Sequence, residues 1–187
     1  MEPFPAPDLT ALLERTLEPR LPLLDEERRG ALRLFNGFTE GCTALVAELY
    51  GRTLLLLTHK VSERESYRLA ELAADHYRGA IAGIDCVILK QRSSNDHEKK
   101  RGVLIHGSAP DRSLLENGVN YALDLLMNQD AGFYIDTCNL RAWLKSHSAG
   151  KTVLNTFAYT GSLGVAALAG GAARVTQIDR SGKFLAA

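Results

Sequence analysis

The sequence is poor in the features that define several protein classes. It has three cysteines among 187 residues, Cys42, Cys86 and Cys138, odd in number and widely spaced. Without a C-x-x-C pair, neither a disulfide framework nor a zinc site is suggested, and a reducing cytoplasm is the simplest home. The histidines His59, His76, His97, His106 and His147 show no ligand spacing, which argues against a metal centre. The longest apolar runs, such as Leu54 to Leu57 and Val165 to Ala169, fall far short of a membrane span. The start, Met1-Glu2-Pro3-Phe4-Pro5, has no basic region and no apolar core, so a secretory signal is not expected. An excess of one charge is also missing. The 22 Lys+Arg balance 22 Asp+Glu, which disfavours a strongly electrostatic nucleic-acid binder but leaves room for a local basic patch.

What is present is an ordinary globular composition. Hydrophobic residues at 45% and charged residues at 24% exclude disorder as the main state, and the length predicts one large domain or two small ones. Asp8 can cap a helix through Leu9, Leu12, Leu13 and Leu17, which Pro19 and Pro22 end. Asp25-Glu26-Glu27 looks like the acidic first turn of another short helix. Leu45 to Tyr50 and Thr53 to Thr58 read as strands around a Gly51-Arg52 turn. A helix over 63–77 buries Tyr67, Leu69, Ala70, Leu72 and Ala73, and Cys86 to Leu89 is a third strand. Residues 93–101 form a polar loop or linker and the best boundary candidate. From Lys90 to Arg101 there are five basic and two acidic residues, read either as a solvated loop or as a phosphate-contacting edge. Val103 to His106 is a strand, and Asn117-Gly118 followed by Val119, Tyr121 and Leu123 is a β-hairpin. Phe133 to Ile135 is a short strand or turn, residues 139–146 are helical, and Trp143 is expected as a core anchor.

The last forty residues carry the most chemistry. Lys151 to Asn155 reads as a buried parallel strand, Phe157 to Gly164 as a glycine-bearing turn, Val165 to Ala169 as a small-residue helix stopped by Gly170-Gly171, and Arg174 to Asp179 as a second strand ending on an acid. Such a β-α-β unit suits a nucleotide-type ligand. Glycines allow close backbone approach, a helix N-terminus favours an anionic group, and an acid at the next strand tip can accept ribose hydroxyls. Asp179 lies 24 residues after Asn155, which fits that role, the alternative being a cap for a helix beginning at Arg180. Gly161 and Gly164 serve either ligand approach or packing. Phe157 and Tyr159 stand where a dinucleotide fingerprint needs glycines, which disfavours NAD.

The segment from Val153 through Asn155, Thr156, Phe157, Ala158, Tyr159, Thr160 and Gly161, continuing through Gly170-Gly171-Ala172 to Val175-Thr176-Gln177-Ile178-Asp179-Arg180-Ser181, resembles the cofactor motif of class I S-adenosylmethionine-dependent RNA methyltransferases, close to the large-subunit ribosomal RNA cytosine-C5 enzymes. Two more stretches are similar to the family's pattern. Glu116-Asn117-Gly118-Val119 and Gly132-Phe133-Tyr134-Ile135-Asp136 match its hairpin and aromatic-acid motif, and Ala31 to Gly37 with Glu48 to Gly51 match its small preceding domain. The resemblance covers roughly residues 31–187.

This resemblance implies S-adenosyl-L-methionine as cofactor and RNA, most simply ribosomal RNA, as partner. Asp179 would hold the ribose, the turn from Phe157 through Tyr159, Thr160 and Gly161 the methionine end, with Asn155 and Ser181 contributing, and Asp136 with Arg141 closing the site. Asp136 could instead cap the following helix. Relatives read D-Q-R where this chain has Asp136-Thr137-Cys138. The implied fold is an α+β N-terminal domain followed by a β-hairpin and a partial α/β Rossmann-like methyltransferase domain. Its segments are 1–30 helical, 31–95 small α+β, 96–131 linker and hairpin, and 132–187 the first part of the cofactor domain. On this reading the family's catalytic domain continues past Asp179, so the chain is truncated, its catalytic residues fall beyond Ala187, and its three cysteines are inert thiols. The open sheet edge then predicts either a homodimer through that edge or a poorly ordered C-terminus. Two other readings remain, a non-catalytic RNA-binding or assembly module and a dinucleotide-dependent oxidoreductase.

Overall fold

The computed structural model describes residues 8–186, so the stretch Met1-Glu2-Pro3-Phe4-Pro5 read for a signal lies outside the described residues. The chain divides into two compact units, Met1–Asp111 and Arg112–Ala187.

In the first unit, helix α1 (Leu9–Leu17) begins at Asp8, whose carboxylate accepts the Thr10 N–H at 3.1 Å. Its stripe buries Leu9, Leu13 and Leu17, as the spacing predicts. Pro19 and Pro22 fall in a 3-10 turn, Glu18–Leu23, because a ring nitrogen cannot donate to the α-helical ladder. The short helix expected at Asp25-Glu26-Glu27 does not form. The Asp25 carboxylate instead accepts the N–H groups of Arg29 and Gly30, closing a turn that competes with helix.

Five strands follow in one sheet, ordered β1 (Ala31–Phe35), β2 (Leu45–Tyr50), β3 (Thr53–Thr58), β4 (Cys86–Gln91), β5 (Val103–His106). The β2–β3 hairpin turns at Gly51, whose φ of 60° a side chain would disfavour. β3 and β4 are parallel and are joined by α2 (Glu63–Ala80), which extends beyond the expected 63–77. Its buried side is Ser66, Leu69, Ala70, Ala73, Ala74 and Tyr77, while Tyr67 and Leu72 lie partly buried at its margin. Leucines of α1 and α2 meet Leu54, Leu56, Val87 and Leu89 in one core.

The domain boundary expected in residues 93–101 is corrected. That run forms a one-turn helix, α3 (His97–Arg101), capped by the Asp96 carboxylate on the Glu98 N–H at 2.8 Å. β5 then pairs back onto β4, with Leu89 opposite Val103. The unit ends at Asp111, whose carboxylate accepts the Arg52 N–H at 2.9 Å and the Thr53 hydroxyl at 2.7 Å.

The second unit opens with the expected hairpin, β6 (Ser113–Glu116) and β7 (Val119–Ala122). Asn117 and Gly118 both have positive φ, the geometry of a tight two-residue turn. Ile135–Thr137 is a 3-10 turn leading into α4 (Cys138–His147). β8 (Thr152–Asn155), α5 (Ser162–Ala169) and β9 (Arg174–Gln177) form the expected parallel β-α-β unit, and a short helix α6 (Gly182–Leu185) follows. Two expectations fail here. β8 is only half-buried, because Leu154, at 61% exposed, lies on the face opposite Asn155. Trp143 is not a core anchor. It is 55% exposed and stacks on His147 one turn on, with ring centres 4.8 Å apart, while the inward side of α4 carries Arg141. Among the described residues no helix is long and apolar enough to cross a membrane.

Candidate functional site

The site lies within the second unit, where β8 and β9 end side by side. The Ile178 N–H donates to the Asn155 carbonyl at 2.8 Å, and the Ala158 N–H donates to the Ile178 carbonyl at 3.0 Å, which folds the turn back across the strand ends. Gly161, at φ 87°, closes that turn and starts α5. A Cβ at Gly161 would meet Gln177 Nε2 at 2.5 Å, and one at Gly164 would meet the Gln177 amide carbon at 2.5 Å. The two glycines therefore seat α5 against the Gln177 side chain, the packing half of the alternative left open above. Asn155 Nδ2 donates to Gln177 Oε1 at 3.2 Å on the same face.

Asp179 stands just past β9 with each carboxylate oxygen fixed. Oδ1 accepts the Ser181 N–H at 2.9 Å, and Oδ2 accepts the Tyr159 N–H at 2.8 Å. These two backbone donors, Ser181 first, with Arg180 beside them, hold its carboxyl below the ordinary carboxylate range. The group is an oriented anion whose oxygens each keep further accepting capacity.

Tyr159 ties three segments together. Its backbone has φ 53°, unusual for a bulky residue, and its N–H serves Asp179. Its hydroxyl oxygen accepts the Gly132 N–H at 3.1 Å, and its ring packs between Tyr134 and Phe184, 4.9 and 4.8 Å between centres. Burial pushes its phenol up to about 12. Thr160 donates its hydroxyl to the Gly132 carbonyl at 2.6 Å, so the turn is bonded to the aromatic-acid motif at two points.

The remaining expected residues divide. Asp136 is exposed on the 3-10 turn, and the N-cap position of α4 falls to Thr137, which makes no side-chain cap bond. Phe157 is 88% exposed. Arg141 is fully buried and its donors are taken. Its Nε and Nη2 make a paired contact with the Glu116 carboxylate at 2.6 and 2.7 Å, and Nη1 reaches the Tyr134 carbonyl and the Thr137 hydroxyl. Its guanidinium also lies 4.0 Å from the Phe133 ring centre. Arg141 thus holds the aromatic-acid turn in shape from beneath. A cavity of about 500 Å3 opens beside the turn, lined by Asn120, Asp124, Phe133, Thr160, Ser162 and other residues of this unit. It shares only Thr160 with the expected set.

Sequence reasoning missed Gln177 and Asn128. Gln177 could have been found from its place two residues before Asp179, on the strand face that α5 covers. Asn128 accepts the Asp130 N–H through its side chain and donates to the Tyr159 hydroxyl, a local turn signal in Asn128-Gln129-Asp130. Among the described residues no three His, Cys, Asp or Glu side chains group to hold a metal. Burial pushes the Cys42 and Cys86 thiols up, which keeps both as thiols at neutral pH.

Known proteins share this arrangement. A family described as S-adenosylmethionine-dependent methyltransferase matches residues 76–186. A ribosomal RNA large subunit methyltransferase I from Shewanella amazonensis is 30% identical over 175 residues, 87% of this chain and 41% of that protein. A ribosomal RNA large subunit methyltransferase K/L from Hahella chejuensis is 38% identical over 112 residues, 57% of this chain and 15% of its own length. A crystal structure of a chain described as a methyltransferase, solved with S-adenosylhomocysteine, superposes at TM-score 0.78 with 25% identity, covering 95% of this chain and 45% of that one. The chain spans less than half the length of each of these relatives. The family match covers more than half of the chain and takes in the aromatic-acid turn, β8, the glycine turn and Asp179. With its parallel β-α-β unit and its oriented strand-end acid, the chain belongs to the S-adenosylmethionine-dependent methyltransferase family.

Proposed function

We propose that the chain forms the cofactor-binding part of an RNA methyltransferase that modifies cytosine C5 in ribosomal RNA. The observation that carries the reading is the Asp179 carboxylate, held ionised and aimed by the Ser181 and Tyr159 amides at the mouth of the glycine turn. S-adenosylmethionine, when bound, supplies an electrophilic methyl on a sulfonium. Asp179 would accept the two ribose hydroxyls, which suits a carboxylate with spare lone pairs. The amides of the turn from Phe157 to Gly161 and the first amides of α5, which lack intrahelical partners, would hold the methionine end. Asn155 and Ser181 keep the strand ends and the acid in place. Asp136 stands at the exposed rim, and Arg141 acts as a positioning residue beneath it. Two copies of the chain pair through the outer edges of β8 and β9, each of which, among the described residues, is bonded only to the other.

Methylation at cytosine C5 calls for a thiolate that adds to C6 and makes C5 nucleophilic. That role is assigned to none of Cys42, Cys86 and Cys138.

Calorimetric titration with S-adenosylmethionine and S-adenosylhomocysteine tests the cofactor step. Binding should weaken about tenfold or more in Asp179→Ala, the loss of hydrogen bonds to a charged group. Equal affinity in the variant would refute the assignment of Asp179. Methyl transfer to ribosomal RNA by a longer protein containing this chain, with the product base identified by mass spectrometry, tests the target. A product other than 5-methylcytosine would overturn that part alone.

A further inference from the structure

A second strand-end crevice lies in the first unit. β3 and β4 are parallel, and their C-terminal ends with the start of α2 enclose about 190 Å3, lined among others by Thr58, Lys60, Glu63, Ser66 and Gln91. On the side facing α2, the paired rows Leu54–Val87 and Leu56–Leu89 belong to the core. The next row is Thr58–Gln91, where the stripe turns polar.

Gln91 is 6% exposed, yet its Nε2 has no hydrogen-bond partner among the described residues. A buried donor left unpaired is costly, and this one lines the crevice, where an entering acceptor would satisfy it. Beside it the Thr58 and Ser66 hydroxyls share one hydrogen bond of 2.6 Å, which leaves one hydroxyl hydrogen to donate elsewhere. Above them begins the 18-residue helix α2. Ser62 caps the Glu65 N–H, and the Ser66 N–H makes the first helical bond, so the Glu63 and Arg64 amides lack intrahelical partners. Lys60 is exposed at the mouth, where its N–H is anchored on Ser93 Oγ at 2.9 Å. The acid in this lining, Glu63, is bound by the Lys99 ammonium at 2.7 Å. Burial first, and then the Arg92 and Lys60 cations, lower the His59 ring from its ordinary value. The basic run from Lys90 to Arg101 therefore borders a shaped cavity.

We infer that this crevice binds a phosphate group, with Gln91 Nε2, the Thr58–Ser66 hydroxyl pair, the free α2 amides and Lys60 as donors. Its volume lies below the range of about 300–1,000 Å3 for whole small molecules, which suits one phosphate head. The source favoured is a backbone phosphate of RNA. That source rests on the reading in Proposed function, whereas the phosphate chemistry does not.

The test is a two-dimensional NMR titration of the full chain with inorganic phosphate and, separately, with a short single-stranded oligoribonucleotide. Phosphate should shift the Gln91 side-chain amide and the Glu63 and Arg64 backbone amides saturably. Lys60→Ala, a surface change, should weaken that binding about tenfold, the loss of one charge-assisted contact. Gln91→Leu should remove it with the fold intact. The oligoribonucleotide should shift the same amides at lower concentration, and a methylphosphonate version should not. No saturable shift at these amides with either probe overturns the proposal. A shift with phosphate alone overturns the RNA source and leaves a free phosphate ester as occupant. Cofactor binding, measured on the same samples, should be unchanged by Lys60→Ala. Its absence in the parent chain beside a positive phosphate titration would overturn the cofactor-binding role proposed for this chain and leave the crevice standing.

Discussion

The chain contains two parallel β-α-β units that solve different problems. β3-α2-β4 has six-residue strands buried along their whole length and an 18-residue helix. β8-α5-β9 has four-residue, half-exposed strands and an eight-residue helix of small residues. Both end on a polar pair, Thr58–Gln91 in one and Asn155–Gln177 in the other. In the second unit the two amides bond to each other and glycines bring the helix down onto them, so the ligand edge passes outward to Asp179. In the first no glycine lies between Thr58 and α2, Gln91 Nε2 has no partner among the described residues, and a lysine stands at the mouth. One topology thus yields an acid that suits hydroxyls and a donor-lined pocket that suits an anion. Strand-end position supplies the crevice, and the residues at the last row decide its chemistry.

That contrast can be broken at graded cost. The largest effect is expected from Arg141→Ala, which strands Glu116 and opens a void beneath the aromatic-acid turn. Loss of a buried pair costs about 3–5 kcal/mol. Hydrogen exchange should show this loss in β8 and β9, with β3 and β4 still protected at their original level. Leu56→Ala empties part of the first unit's core and should cost about 3 kcal/mol, read by urea denaturation, with cofactor affinity kept wherever the chain is folded. A pH series separates the two crevices further. The folded Asp179 carboxyl sits below its ordinary value, so its contribution is complete above about 3.9 and is lost as pH falls through the lowered one. Cofactor affinity should therefore stay level from neutral pH down to about 5 and fall only in stronger acid. Asp179→Asn should lack that acid limb. Trp143→Ala should change stability by less than about 0.5 kcal/mol, since the ring lies on the surface.

Periodicity and turn chemistry made much of the frame legible. The Asn117-Gly118 hairpin, the Gly51-Arg52 turn and the order of the last β-α-β unit all follow from local rules. What escaped depends partly on local side-chain chemistry and partly on partners distant in sequence. The Asp25 loop is decided by a side chain that outbids helical hydrogen bonds, and Trp143 read as interior from its large aromatic ring alone, whereas the inner side of α4 is held by Arg141 with Glu116, 25 residues away. The basic stretch at 93–101 read as a linker because charge marks solvent exposure and does not report strand pairing, and β5 returns to β4 behind it. At the site, the spacing to Asp179 was readable, whereas the Tyr159 amide that orients it depends on a left-handed backbone at a bulky residue. Gln91 carried no signal at all in the sequence, since an unpaired amide is a property of packing alone.

The tyrosines give each unit an optical signature. Burial holds the Tyr77 phenol of the first unit above its ordinary value, and in the second it raises Tyr121 and pushes Tyr159 up to about 12. Phenolate absorbs in the near ultraviolet where phenol does not, so an alkaline titration watches these rings surrender their protons. Replacing Tyr159 with phenylalanine would delete the step near 12. The ring that braces the glycine turn thereby reports, without any ligand or label, whether that turn is formed.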